Sequence, residues 1–141
     1  MAALMARSPL LRRYRVTARG AKASLAEALR ERDLVIVAVD GDEVVGLAWA
    51  IITRALDRAA YLRLLLVAET HQARGLGAAM LARIEREARA SRCRHVVLLV
   101  TKTNRCARSF YERHGYAHVG DLPRFVRPGI AESLYLKSWR A

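Results

Sequence analysis

Two periods alternate along the chain. Leu34–Val39 and Val44–Thr53 are apolar runs on either side of Asp40-Gly41-Asp42, a turn signal, and together they predict a hairpin. Tyr61–Val67 is a third run of comparable character, so an antiparallel meander is expected. After Val67 the spacing becomes helical: Leu76, Met80, Leu81, Ile84 and Ala88 share one face, with Arg83, Arg86, Glu87 and Arg89 on the other. His95–Thr101 predicts a buried strand. Asn104 opens a second helix through Arg113, with Ala107, Phe110 and Tyr111 on one side and Gly115 as its stop. Tyr116–Val119 and Ser133–Trp139 are the last two strands, joined by the loop Gly120–Ile130. Upstream, Leu25, Ala26, Ala28 and Leu29 form the stripe of a short amphipathic helix over Ala21–Arg32, ended by Asp33. Ahead of it a ragged, disordered end over residues 1–13 leads into a short strand around Tyr14–Thr17.

Strand, glycine-bearing turn, helix, strand reads as a parallel βαβ crossover. The expected fold is therefore α/β, a mixed and mostly antiparallel central sheet of about six to seven strands. Its 141 residues make one domain over 1–141.

Composition narrows the class. At 53% apolar and 27% charged residues the chain can bury a core and is unlike disordered proteins. No apolar run approaches the roughly 18–20 residues of a membrane helix, the longest strong one being Val96–Val100. The formal charge is +12, and 22 of the 25 basic residues are Arg, scattered through the chain. An anionic partner is suggested, yet no nucleic-acid recognition module is present, so one anionic ligand site on a basic surface is favoured over specific nucleic-acid binding. Residues 1–26 contain no acid, a composition shared with organellar transit peptides. Cys93 and Cys106 suit neither a disulfide framework nor a four-ligand zinc site, so no metal is expected and a reducing, cytoplasmic location is read.

Gln72-Ala73-Arg74-Gly75-Leu76-Gly77 lies between a strand and a helix. Glycines let backbone approach a ligand, and the first helical N–H groups have no intrahelical acceptor, so an anion is favoured there. The segment matches neither GxGxxG nor the P-loop. Downstream stands Asn104-Arg105-Cys106-Ala107-Arg108-Ser109-Phe110-Tyr111-Glu112-Arg113-His114-Gly115-Tyr116. Together the two segments resemble the GNAT superfamily of acyl-CoA-dependent N-acetyltransferases, which carries Q/R-x-x-G-x-G/A after its fourth strand and N-x-x-A-x-x-F/L-Y-x-x-x-G-F/Y one strand later. The resemblance spans roughly Leu34 to Trp139.

It implies a V-shaped splay in the sheet and a site for acetyl-CoA as co-substrate. Backbone N–H groups of Ala73, Arg74, Gly75, Leu76, Gly77 and Ala78 would hold the pyrophosphate, flanked by the side chains of Gln72 and Arg74. Leu66 and Val67 would pair with the pantetheine arm, Asn104 would contact it or cap its own helix, and Tyr111 would lie near the thioester sulfur. The partner is an amine acceptor, and the short N-terminal part, with room for one helix between Thr17 and Leu34, suggests an open acceptor side or completion by a second subunit in a homodimer.

The chemistry follows from pKa values. An alkylamine, with a pKa of about 10, must lose a proton before it attacks. The oxyanion formed could be met by the Val67 N–H. Neutral Tyr111 can protonate the departing thiolate. Glu69 and His71 are the candidate bases, and Glu69 is the one adopted. His95, His114 and His118 read as ordinary surface or core histidines, and Cys106 as a small buried filler. In the ribosomal-protein N-terminal acetyltransferase branch a Glu serves as base where this chain has Leu99, a departure that counts against that branch. Trp49, Phe125, Arg127 and Pro128 are candidate lining for the acceptor. Three functions stay open: acetylation of a small-molecule or peptide amine, acetylation of an RNA-borne amine, and a non-catalytic acyl-CoA-binding module.

Overall fold

The computed structural model of the chain describes residues 1–140. Its elements in order are α1 (Ala2–Arg7), α2 (Pro9–Arg13), α3 (Ala18–Arg30), β1 (Leu34–Asp40), β2 (Glu43–Thr53), a single turn α4 (Ala55–Arg58), β3 (Ala59–Val67), a 3₁₀ turn (Glu69–His71), α5 (Leu76–Ala90), β4 (His95–Thr101), α6 (Arg105–Arg113), β5 (Ala117–Pro123) and β6 (Ala131–Ser138). The hydrogen-bonded strand order is β1-β2-β3-β4-β6-β5. One pair, β3 with β4, is parallel; β1–β2, β4–β6 and β5–β6 are antiparallel. This is the mixed sheet expected from the pattern, with six strands.

Two compact units make up the chain, Met1–Ile51 with Leu64–Arg86, and Ile52–Arg63 with Glu87 to the end of the described residues. In the first, β1 and β2 pair from Leu34↔Ala50 to Asp40↔Glu43, with an irregularity between Ala38 and Val39, and Gly41 turns the hairpin at φ +58°. Leu47 and Trp49 of β2 pack in one core with Leu4, Met5, Ala21, Leu25 and Ala28. The Trp49 indole N–H donates to Asp33 Oδ2 at 2.8 Å.

That core corrects the expectation for the N-terminus. Residues 1–13 form α1 and α2, because Leu4 and Met5 are buried against α3 and β2, and no strand forms at Tyr14–Thr17. Ser8 caps α2 from its side chain, Pro9 holds the first helical position, Tyr14 ends α2, and Thr17 caps α3 by accepting from the Gly20 N–H. α3 is the one helix between Thr17 and Leu34.

In the second unit the parallel ladder runs from Ala59↔His95 to Leu62↔Leu98, while β3 continues to Val67 and β4 to Thr101. β6 follows β4 from His95↔Ser138 to Thr101↔Glu132, which places Val100 opposite Ser133 and Leu98 opposite Tyr135. α6 ends in a Schellman arrangement: the Tyr116 N–H donates to Tyr111 O and the Gly115 N–H to Glu112 O, both at 3.1 Å, with Gly115 at φ +85°. The last two strands differ from expectation in their limits. β5 extends through Gly120 to Pro123, so the loop joining it to β6 is confined to residues 124–130.

Candidate functional site

The residues expected to bind and react fall into two groups, one in each unit. In the first unit, β3 delivers Leu66 and Val67, both half-buried, and the Ala68 N–H then donates to Val45 O at 2.8 Å, tying the strand end to β2. The chain makes one 3₁₀ turn, Glu69–His71. Glu69 is exposed there. His71 is held on both sides, its Nε2 at 2.8 Å from Asp40 Oδ2 and its Nδ1 at 2.8 Å from Thr70 Oγ1. Both ring nitrogens are thus occupied.

Gln72 behaves differently from a residue aimed at a phosphate, since its side-chain amide donates to Val67 O at 3.1 Å and closes the loop onto the strand it left. Ala73 at φ +59° and Gly75 at φ +78° then reverse the backbone. A side chain added at Gly75 would meet nothing within 4 Å, so the loop has open space beside it. Within α5 the Ala79 N–H donates to Gly75 O at 3.0 Å. The N–H groups of Leu76, Gly77 and Ala78 come before that bond and have no acceptor inside the helix, which leaves the helix start suited to an anion. The loop Gln72–Gly77 thus leads into unpaired N–H groups with open space beside Gly75.

α5 is seated through a glycine. Gly46 of β2 lies under Met80, and a Cβ on it would stand 2.7 Å from the Met80 Sδ and 3.0 Å from the Ala38 Cβ. Only the missing side chain lets the helix approach so closely.

In the second unit Asn104 is the N-cap of α6, and its Oδ1 accepts from the Ala107 N–H at 3.1 Å. Two turns on, Tyr111 is buried, with its ring edge-on to Phe110 at 5.2 Å and to Tyr116 at 5.6 Å. Its hydroxyl makes no hydrogen bond among the described residues. Burial raises its pKa well above the usual tyrosine value, so the phenol keeps its proton. Leu99 lies on β4 opposite Leu134. Phe125 is exposed on the loop after β5, whereas Trp49 belongs to the core of the first unit.

The remaining histidines are engaged locally: His95 Nδ1 with Ser138 Oγ at 2.7 Å, His114 Nδ1 with Phe110 O at 2.7 Å, and His118 Nε2 with Asp121 Oδ1 at 3.0 Å. Both cysteines are free; Cys93 is buried, and Cys106, expected as a buried filler, is exposed because it falls on the outer side of α6. Among the described residues no cluster of His, Cys, Asp and Glu could hold a metal ion.

Sequence reading missed two polar networks and one carboxylate. Tyr135, fully buried, donates to Glu112 Oε1 at 2.8 Å and accepts from Arg108 Nε at 3.0 Å, fastening α6 to β6. Asp121 accepts from Ser133 Oγ at 2.7 Å, pairs with Lys102 Nζ at 3.0 Å, and meets His118; these donors hold its carboxyl well below the usual range. Glu132 is buried on β6 and opposes ionisation of Tyr61, whose pKa is raised chiefly by burial. The signal for Glu132 was in the period-two pattern, because it shares one face of β6 with the apolar Leu134 and Leu136.

Comparison with known proteins agrees with the two motif segments. The family model described as the acetyltransferase (GNAT) family matches residues 6–116. Among curated proteins no match is found. Among solved structures, a protein from Desulfovibrio desulfuricans described as of the GNAT family is 26% identical, with a TM-score of 0.75 over 86% of this chain and 80% of that one. An aminoglycoside 6'-N-acetyltransferase complexed with coenzyme A is 19% identical, TM-score 0.80, over 97% of this chain and 87% of its own. The ribosomal-protein-S18-alanine N-acetyltransferase from Escherichia coli is 20% identical, TM-score 0.72, over 85% and 79%. The last two show a shared fold. With a strand, an anion-ready turn and a helix in the first unit, an Asn-capped tyrosine helix in the second, and a family match over most of its length, the chain belongs to the acetyltransferase (GNAT) family.

Proposed function

We propose that the chain transfers an acetyl group from acetyl-CoA to a primary amine of a small molecule or peptide, by direct attack in a ternary complex. The observation that carries this reading is the Gln72–Gly77 loop, with Ala73 and Gly75 in left-handed conformation, open space beside Gly75, and three helical N–H groups beyond it. A pyrophosphate with two negative charges fits such a turn. The backbone of Leu66 and Val67 binds the pantetheine arm, and the Val67 N–H meets the oxyanion. Gln72, bonded to Val67 O, supports that strand end.

Tyr111 is the acid in this reading. Its raised pKa keeps it neutral at any working pH, so a proton is always available for the leaving thiolate. Glu69 is the base, free on its exposed turn, whereas His71 is committed to Asp40 and Thr70. Asn104 supports α6 as its cap, and in this reading a second copy of the chain completes the acceptor side. Among the described residues no helix is long and apolar enough to cross a membrane. The cytoplasmic location belongs to this reading through the two free cysteines.

The charge of +12 favours one second reading, an amine carried on RNA. A panel of small amines, peptides and aminoacyl-tRNA, assayed by acetyl-CoA-dependent release of free thiol, tests both. Turnover with a small amine or peptide supports the first. Turnover only with tRNA, weakening steeply with salt, selects the second. Coenzyme A binding without turnover on any acceptor class would leave the chain a binding module and refute both.

A further inference from the structure

At the end of β4 opposite Asn104 lies a cavity of about 430 Å³, lined by Arg89, Cys93, Arg94, Ser138, Trp139 and Arg140. β4 runs from His95 to Thr101, so roughly 20 Å of strand separates this cavity from the start of α6. Its wall is fixed by backbone. α5 closes with the Cys93 N–H on Ala88 O at 2.9 Å around Arg92 at φ +61°, and the Trp139 N–H donates to Arg94 O at 3.1 Å. His95 holds Ser138 at 2.7 Å.

The wall is short of acceptors. Arg94 faces Asp57 Oδ2 at 2.7 Å, but Arg89 and Arg140 have no carboxylate partner among the described residues. The Arg89 guanidinium instead lies 4.5 Å from the centroid of the Trp139 ring. The indole Nε1 of Trp139 is buried with no hydrogen-bond partner. A buried donor without an acceptor is costly, and Arg89, Arg94 and Arg140, all exposed, set three positive charges around the mouth of the cavity against one carboxylate. Burial raises the Cys93 pKa, so its thiol adds no compensating charge. Asp57, that one carboxylate, stands on a turn where Leu56, Asp57 and Arg58 all take positive φ, at 51°, 55° and 66°. Three such residues in a row store strain of the kind that gathers beside binding sites.

We propose that this cavity binds a phosphorylated nucleoside, either a free nucleotide or a nucleotide unit of single-stranded RNA. Phosphate oxygens would neutralise Arg89 and Arg140, and drawing the Arg89 guanidinium off the Trp139 ring would open the indole, whose buried N–H lacks an acceptor, to the base. The volume lies in the usual range for small organic ligands, about 300–1,000 Å³, and exceeds what a bare anion fills.

Calorimetry on the full chain tests this, with saturating acetyl-CoA present to mask any nucleotide affinity of the Gln72–Gly77 loop. The probes are adenosine 5'-monophosphate, inorganic phosphate and a 12-nucleotide oligouridylate. The monophosphate is expected to bind at concentrations below about 1 mM. Arg89→Ala with Arg140→Ala should weaken it about tenfold or more, and Trp139→Phe, which keeps a ring and removes the N–H, about threefold to tenfold. Arg30→Ala, an exposed arginine at the end of α3, should leave it unchanged. Tighter oligouridylate binding, with a salt slope that becomes shallower in the double arginine variant, identifies RNA as the source. Equal or weaker oligouridylate binding identifies a free nucleotide. Circular dichroism melts check folding, and Arg140→Ala alone, at an exposed position, serves if the double variant does not fold. No binding of either nucleotide probe, unchanged affinity in the arginine variants, or inorganic phosphate binding as tightly as the monophosphate would each overturn the proposal.

Discussion

Tyr111→Phe separates chemistry from packing more cleanly than any other substitution in this chain. The Tyr111 ring is buried against Phe110 and Tyr116, and phenylalanine keeps both edge contacts. The hydroxyl makes no hydrogen bond among the described residues, so its removal leaves no partner unsatisfied, and stability should change by no more than about 0.5 kcal/mol. Activity is a different matter if the hydroxyl protonates the departing thiolate. A thiolate is already a fair leaving group, and burial makes this phenol a weaker acid than usual, so the loss belongs at or below the low end of general-acid effects. We expect kcat and kcat/KM to fall together by about tenfold to a hundredfold, equivalent to about 1.4–2.7 kcal/mol, with coenzyme A affinity nearly unchanged. Alkali supplies a second readout. Because the folded-state pKa is raised, the unfolded chain ionises first, and stability is lost as pH climbs past the ordinary tyrosine value of about 10. Tyr111→Phe should therefore lose less stability between about pH 9 and pH 11 than the parent, read as urea midpoints. Wild-type turnover in Tyr111→Phe would assign protonation to water or another group and refute the reasoning. A large drop in melting temperature would instead refute the claim that the hydroxyl is unpartnered.

Three further outcomes are expected. Gly75→Asp puts a carboxylate in the open space beside the loop and strains a backbone held at φ +78°, and repulsion and strain together should weaken coenzyme A binding about tenfold to a hundredfold by calorimetry; unchanged affinity would remove the loop from the site. Gly46→Ala drives a methyl into Met80 and Ala38 and should cost about 1–3 kcal/mol, lowering the melting temperature by about 3–10 °C; Met80→Ala in the same chain should cost less than the sum of the two single changes. Asp121 has a depressed folded-state pKa, so it contributes stability above the ordinary aspartate value of about 3.9 that is lost as pH falls. Asp121→Asn should make the acid limb of the stability curve shallower, and an unchanged limb would show that Ser133, Lys102 and His118 do not stabilise its charge.

Much of the molecule was determined locally and could be read locally. The β1–β2 hairpin is two apolar runs around a Gly turn, α5 is a 3.6-residue stripe, and α6 is Asn104, an apolar face and Gly115. Those features act over a few residues, so a window of sequence contains their cause. The same holds for the two motif segments, which is why the family is legible in the sequence. What tertiary structure decided depends on partners far away in the chain. Tyr14–Thr17 alternates like a strand, yet Leu4 and Met5 find a core in Leu25, Leu47 and Trp49, and the preceding residues become helices. α3 and α5 end at Arg32 and Arg92 in left-handed conformation, where residue type announces nothing as Gly115 does for α6. β6 pairs with β4 and leaves β5 at the edge, an order that two adjacent strand patterns cannot specify. The Tyr135 and Asp121 networks, and the unpartnered indole of Trp139 beside Arg89, exist only once that order is set. A local window contains propensity and period, whereas burial and hydrogen-bond satisfaction are properties of residues that meet across the fold.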